Sequence, residues 1–205
     1  SICGAKGVKK LFGTPFSRFG RGQTQVVWNR KVGSMNLVSR FLLGAAHAFG
    51  NSSEVPYSAQ FYIGGANSVR AFPVRSIGPG RYCPTEIRPN GYYDQTGTFK
   101  FETNCELRFP ILGYLKGALF LDAGNVWLLK KDDYRPGGEI TLKHFLNDLA
   151  LGTGVGVRFD MDMLVLRADL GIGIHAPYDT GKSGYFNMPS FKDSLGFHLA
   201  IGYPF

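Results

Sequence analysis

No segment of this chain is apolar for long enough to cross a bilayer as a helix, and mean hydropathy is an unremarkable −0.07. Histidine and cysteine are scarce. His47, His144, His175 and His198 are dispersed, and none pairs with cysteine or carboxylate at ligand spacing, which excludes a recognisable metal site or metal cofactor. Cys3, Cys83 and Cys105 form no redox or zinc motif. No serine-centred elbow or ordered Ser/His/Asp set is present, so the chain is not expected to be an enzyme. GTGVG (Gly152–Gly156) lies inside an alternating segment, where no phosphate loop forms. Acidic residues are the minority, 15 against 23 basic, for a net charge of +8. The cations are spread along the chain in no single patch, which argues against a nucleic-acid partner. A secretory leader is also missing, and Cys3 lacks the charged and apolar stretch of a lipoprotein signal.

What the chain has is alternation. From Leu195 to the end, Leu195, Phe197, Leu199, Ile201, Tyr203 and Phe205 alternate with Gly196, His198, Ala200, Gly202 and Pro204. Strand side chains point alternately to opposite faces, so one face is greasy and the other small or polar. The same holds from Phe99 to Phe109, where Phe99, Phe101, Thr103, Cys105, Leu107 and Phe109 oppose Lys100, Glu102, Asn104, Glu106 and Arg108. Leu115–Trp127, Leu149–Phe159 and Leu164–Ile172 repeat it, with Asp122, Arg158, Arg167 and Asp169 on the polar side. Segments 23–30 and 36–49 are strand-like but noisier. Each run is about the ~9–11 residues that a tilted strand needs to span a bilayer. Charge beside glycine on one face suits a wet lumen, and barrel strands hide their hydrophobicity in alternation. Trp28, Tyr114, Trp127, Tyr203 and Phe205 fall near strand ends, where interfacial aromatic girdles lie.

Connections at 31–36, 110–114 and 160–163 are short, whereas those at 50–98, 128–148 and 173–194 are long. Strict alternation of short and long matches tight periplasmic turns and large outer loops. The fold class is therefore all-β, an antiparallel transmembrane barrel of about seven strands, forming one segment over residues 1–205. Asp160 and Asp162 suit a tight turn. The segment Ile140–Leu149 reads as a short amphipathic helix in an outer loop. Cys3 and Cys83 fit a bridge between outer loops, and Cys105 a small hydrophobe on the lipid face.

Residues 61–80, FYIGGANSVRAFPVRSIGPG, together with FETNCELRFPI (101–111), GALFLDAGNVW (117–127) and the last strand, carry a resemblance. In order and spacing they resemble the BamA/TamA superfamily of outer-membrane assembly factors (the bacterial surface antigen family), and the long outer loops with RPGGE (135–139) look closer to TamA-like or Bacteroidetes-type members. Ala71 stands where the family's loop motif has glycine, a departure that bears on the backbone because alanine tolerates positive φ less well. The resemblance implies the C-terminal half of a sixteen-stranded barrel in the bacterial outer membrane, cut from a longer precursor whose periplasmic repeats are not present here. It implies a lumen loop, 50–98, whose motif residues Gly64, Gly65, Val69, Phe72, Ile77, Gly78 and Pro79 fold inward, with Arg70 meeting Glu106 and Asp122. The implied function is insertion or transport of other outer-membrane proteins through a weak seam at the terminal strand. The implied partners are outer-membrane lipid, client barrel proteins, and periplasmic or inner-membrane assembly factors reached through upstream domains. A passive channel lined by Lys100, Glu102, Arg108, Arg158 and Arg167, or an anchor for an upstream domain, is the alternative. No cofactor is implied.

Overall fold

The alternating runs fold as antiparallel strands. A computed structural model of the chain describes residues 10–11, 14–15, 18–49, 54–84, 95–161, 163–192 and 194–205. Strands β1 (Lys10–Leu11) and β2 (Thr14–Pro15) pair with each other. The main sheet contains β3 (Arg18–Val32), β4 (Met35–Phe49), β5 (Phe99–Leu112), β6 (Leu115–Trp127), β7 (Ala150–Asp160), β8 (Val165–His175) and β9 (Leu195–Ile201), ordered as in the sequence. Among the described residues β3 and β9 do not pair, so the sheet is an open wall. The tight turns joining β3 to β4 and β5 to β6 open on Gly33 and Gly113, both at positive φ, as a two-residue turn with glycine first requires.

Burial follows the expected parity. In β7, Ala150, Gly152, Gly154, Gly156 and Arg158 are buried, while Val155, Val157 and Phe159 are exposed. The outward row continues through Leu119 and Leu121 on β6, Leu166 and Leu170 on β8, and Phe197, Leu199 and Ile201 on β9. Strand β3 is exposed on both faces.

Three expectations are corrected. The terminal strand stops at Ile201. Gly202 takes φ +85°, and Tyr203 and Phe205 leave the lipid-facing row: Arg108 lies 4.2 Å over the Tyr203 ring, and Arg40 5.0 Å over that of Phe205. Neither aromatic therefore joins an interfacial girdle. The inner face of this half is not a wet lumen, because the long loop after β4 packs onto it. Residues 142–148 form consecutive turns in place of a helix. Cys83 is an exposed free thiol; Cys3, like Asp162, lies outside the described residues.

The core is where wall meets loop. Ile63, Val69, Phe72 and Ile77 of the loop pack with Ala46, Ala48 and Val126 of the inner face.

Candidate functional site

The loop enters through Gly64 and Gly65, at φ +95° and +89°, which side chains rarely adopt; a Cβ on Gly64 would collide with the Pro73 carbonyl. Ser68 Oγ accepts from the Gly64 amide at 3.1 Å, and the Phe72 carbonyl from the Gly65 amide at 2.9 Å, closing a tight crown. Ile77 is fully buried, and the Gly78–Pro79 bond is cis. Gly78 presses on Asn125 and Val126 of β6, and the Gly80 amide donates to the Val126 carbonyl at 2.7 Å. The Asn125 side-chain amide donates to the Gly80 carbonyl at 2.9 Å. One end of the crown is thus closed on itself and the other tied to the wall.

Arg70 sits at its tip with 0% exposure. Its Nε donates to Asp122 Oδ2 at 2.8 Å and its Nη2 to Asp122 Oδ1 at 2.9 Å, a two-pronged fork; Nη1 donates to Glu106 Oε2 at 2.5 Å. The guanidinium also lies 3.5 Å from the Phe120 ring centroid, a desolvated cation–π contact. Burial by itself disfavours the charged form of Arg70, but Asp122 and Glu106 outweigh it and raise the proton affinity. The structure therefore brings Arg70, Glu106 and Asp122 into one contact.

Around this trio is a larger ionic lattice. Arg158 bonds Glu106 at 3.1 Å and Asp169 at 2.5 Å, Arg167 bonds Asp169 at 3.1 Å, and Arg108 bonds Glu106 at 2.7 Å. Arg40 and Lys100 share Glu102. Six cations face four carboxylates, and the surplus donors turn to the loop backbone: Arg40 Nη2 to the Asn67 carbonyl and Arg167 Nη1 to that of Ala66, each at 2.9 Å. The Asn104 amide donates to the Ser68 carbonyl at 2.9 Å, His198 Nε2 to the Arg70 carbonyl at 2.8 Å, and the Arg70 amide to Asp122 at 3.1 Å. His198 is thus a loop contact, where the sequence suggests a solvated lumen residue. Arg158, Arg167 and Glu102, expected in the channel reading to line a pore, are buried under the loop.

Three inner-face glycines make room for the tip. A Cβ on Gly152 would come within 2.5 Å of the Ala71 Cβ, on Gly171 within 2.8 Å of the Arg70 carbonyl group, and on Gly196 within 2.6 Å of the Arg70 oxygen. Ala71 keeps a negative φ, so its side chain strains nothing where the family motif has glycine. Phe120, Asp169, His198 and this glycine cradle are the partners that motif reasoning does not identify. Their strand parity alone marks them as inward. Among the described residues no group of histidine, cysteine and carboxylate side chains is arranged to hold a metal.

The Omp85 superfamily domain matches residues 13–205. A 90-residue stretch is 34% identical to the outer membrane protein assembly factor BamA of Neisseria meningitidis serogroup B, covering 42% of this chain and 11% of that protein. The fold is similar to the crystal structure of BamA from Haemophilus ducreyi lacking POTRA domains 1–3, with a TM-score of 0.62 at 19% identity, over 94% of this chain and 36% of the other. It is also similar to CdiB from Acinetobacter baumannii, with a TM-score of 0.52 at 18% identity, over 90% of this chain and 27% of the other. The chain thus spans about a tenth of the curated relative and about a third of the solved barrels.

Proposed function

The chain belongs to the Omp85 superfamily of bacterial outer-membrane proteins, and on that footing we propose that it is the loop-bearing wall of an insertase or translocase for other outer-membrane proteins. One observation carries this reading: a fully buried arginine at the tip of a long loop is locked to two carboxylates on neighbouring strands. A passive pore gains nothing from filling its own lumen with a peptide crown held by paired buried charges, which are costly to desolvate. A machine that must keep its wall rigid while a nearby edge exchanges partners does gain from it. The working edge is β9, which among the described residues pairs with β8 alone and so offers its other side as a template for an incoming strand. Client strands and outer-membrane lipid are the partners in this reading, with periplasmic or inner-membrane factors joining through upstream domains. The chain itself contributes no catalytic group.

The test uses the full-length protein bearing this wall, reconstituted in phosphatidylethanolamine–phosphatidylglycerol vesicles. Urea-denatured outer-membrane barrel protein is added, and its folding is followed by heat-modifiable mobility. Wild type accelerates folding and Arg70→Ala loses most of that acceleration. Folding no faster than in protein-free vesicles overturns the proposal.

A further inference from the structure

The connection between β6 and β7 does not simply extend into solvent; part of it lies on the outside of the wall. Phe145 stacks on the Trp127 indole with centroids 5.1 Å apart, and meets Phe101 edge-on at 5.4 Å. Phe101 and Trp127 belong to the outward row that also carries Leu119 and Leu121. Most of that row is bare, yet Trp127 is 0% exposed, with its Nε1 directed at Asp148 Oδ2, 3.4 Å away. Residues 141–148 therefore cover the apolar face at one rim of the sheet.

The covering segment leaves its own apolar groups uncovered. Leu142 is 92% and Leu146 71% exposed. The Asp148 amide donates to the His144 carbonyl at 2.8 Å and the His144 amide to that of Thr141 at 3.1 Å, so the segment winds in successive tight turns. Lys143, also exposed, lies between them in the sequence. The rim is the one from which all three long connections spring, opposite the tight turns.

The geometry points to an interfacial foot: residues 141–148 dip into the outer leaflet, Leu142 and Leu146 entering the acyl boundary and Lys143 reaching the phosphate level. The inference rests on the membrane reading of the wall. The occupant is a phospholipid bilayer because the foot continues, without a break, the outward surface that Leu119, Leu121 and Phe101 present. Apolar side chains beside a lysine that can snorkel are the usual make-up of segments lying in that plane. A foot clamped on Trp127 also fixes the depth of the wall, as girdle aromatics do.

Hydroxyl-radical footprinting of the full chain in phosphatidylethanolamine–phosphatidylglycerol vesicles tests this, each oxidation rate being normalised to the urea-unfolded chain. Leu199 on the outward wall is the reference for lipid contact. Tyr134, 91% exposed on the same connection, is the reference for water. Leu142 and Leu146 should oxidise several-fold more slowly than Tyr134, matching Leu199. Rates equal to that of Tyr134, with Leu199 protected, overturn the foot and leave the membrane wall standing. An unprotected Leu199 overturns both. Protection that appears only at high protein-to-lipid ratio marks a second copy as the occupant and overturns the foot as well.

Discussion

Arg70 is the residue on which loop and wall depend most. Replacing it with alanine leaves Asp122 and Glu106 buried with fewer partners, a loss on the order of 3–5 kcal/mol for a broken buried pair. Arg70→Ala should therefore release residues 54–84, read as faster amide exchange and new protease cleavage there, while β5 to β8 stay protected. Arg70→Lys keeps the charge but cannot fork onto both Asp122 oxygens and should recover only part of the protection. Gly196→Ala tests the same docking from the opposite side. It removes no ion pair, yet its methyl would lie 2.6 Å from the Arg70 carbonyl oxygen, so the tip must shift and exchange at 69–72 should rise. At this scale the sequence is informative where a motif and a parity meet: Arg70 stands in a loop pattern, and Glu106 and Asp122 fall on the polar side of their strands. Phe120 is also on that side, but a ring under a guanidinium has no spacing signature. His198 is invisible for a related reason, since its partner is a backbone carbonyl common to every residue.

Strands β5 to β8 were legible because each alternates large apolar with small or charged groups over nine or more residues. The end of β9 was not. Gly202 continues the alternation as faithfully as Gly196 does, and composition cannot show that one sits at φ +85° while the other makes room for a carbonyl. The inward hook that follows is held by the Tyr203 hydroxyl donating to Asp160 at 2.6 Å, and by its ring over Arg108. A side chain at position 202 is strained in the left-handed region by about 1–2 kcal/mol. Gly202→Val should therefore straighten the hook, measured as a rise in amide exchange at 203–205 with β8 unchanged. The outer connections give a pH dependence of the less usual sign. Burial pushes the Asp148 carboxyl up from its ordinary range, against the opposing pull of Trp127 and Arg81. An acid whose folded affinity for protons exceeds its unfolded one favours the folded form more as pH falls. Docking of 141–148 should thus tighten on acidification through the carboxylate range and loosen above it. Asp148→Asn should flatten that profile, followed by the fluorescence of Trp127 beneath the segment.

The molecule as a whole is a wall with two unlike faces, and its stability divides between them. The inner face is satisfied from within the chain, by the loop, its ion pairs and its small apolar core. Among the described residues the outer face is covered only at the Trp127 rim. The alternation of short and long connections was enough to give strand order and handed every long loop to one side. It could not show that the loop after β4 fills the inner face, because the charges there are equally at home against water and against a crown of backbone. A charge at mid-wall separates the two faces. Leu121 lies midway along β6, outward and half-exposed; its inner neighbour Asp122 is buried and bonded to Arg70. Leu121→Arg should cost about 2–4 kcal/mol in a bilayer, as a cation facing lipid near the midplane does. The same change in a detergent micelle, where water and headgroups lie close to the ring of apolar side chains, should cost much less. Urea titrations of the two variants in vesicles and in micelles give the comparison. Equal destabilisation in both media would mean that Leu121 is packed against protein, and the outward face would no longer be lipid's.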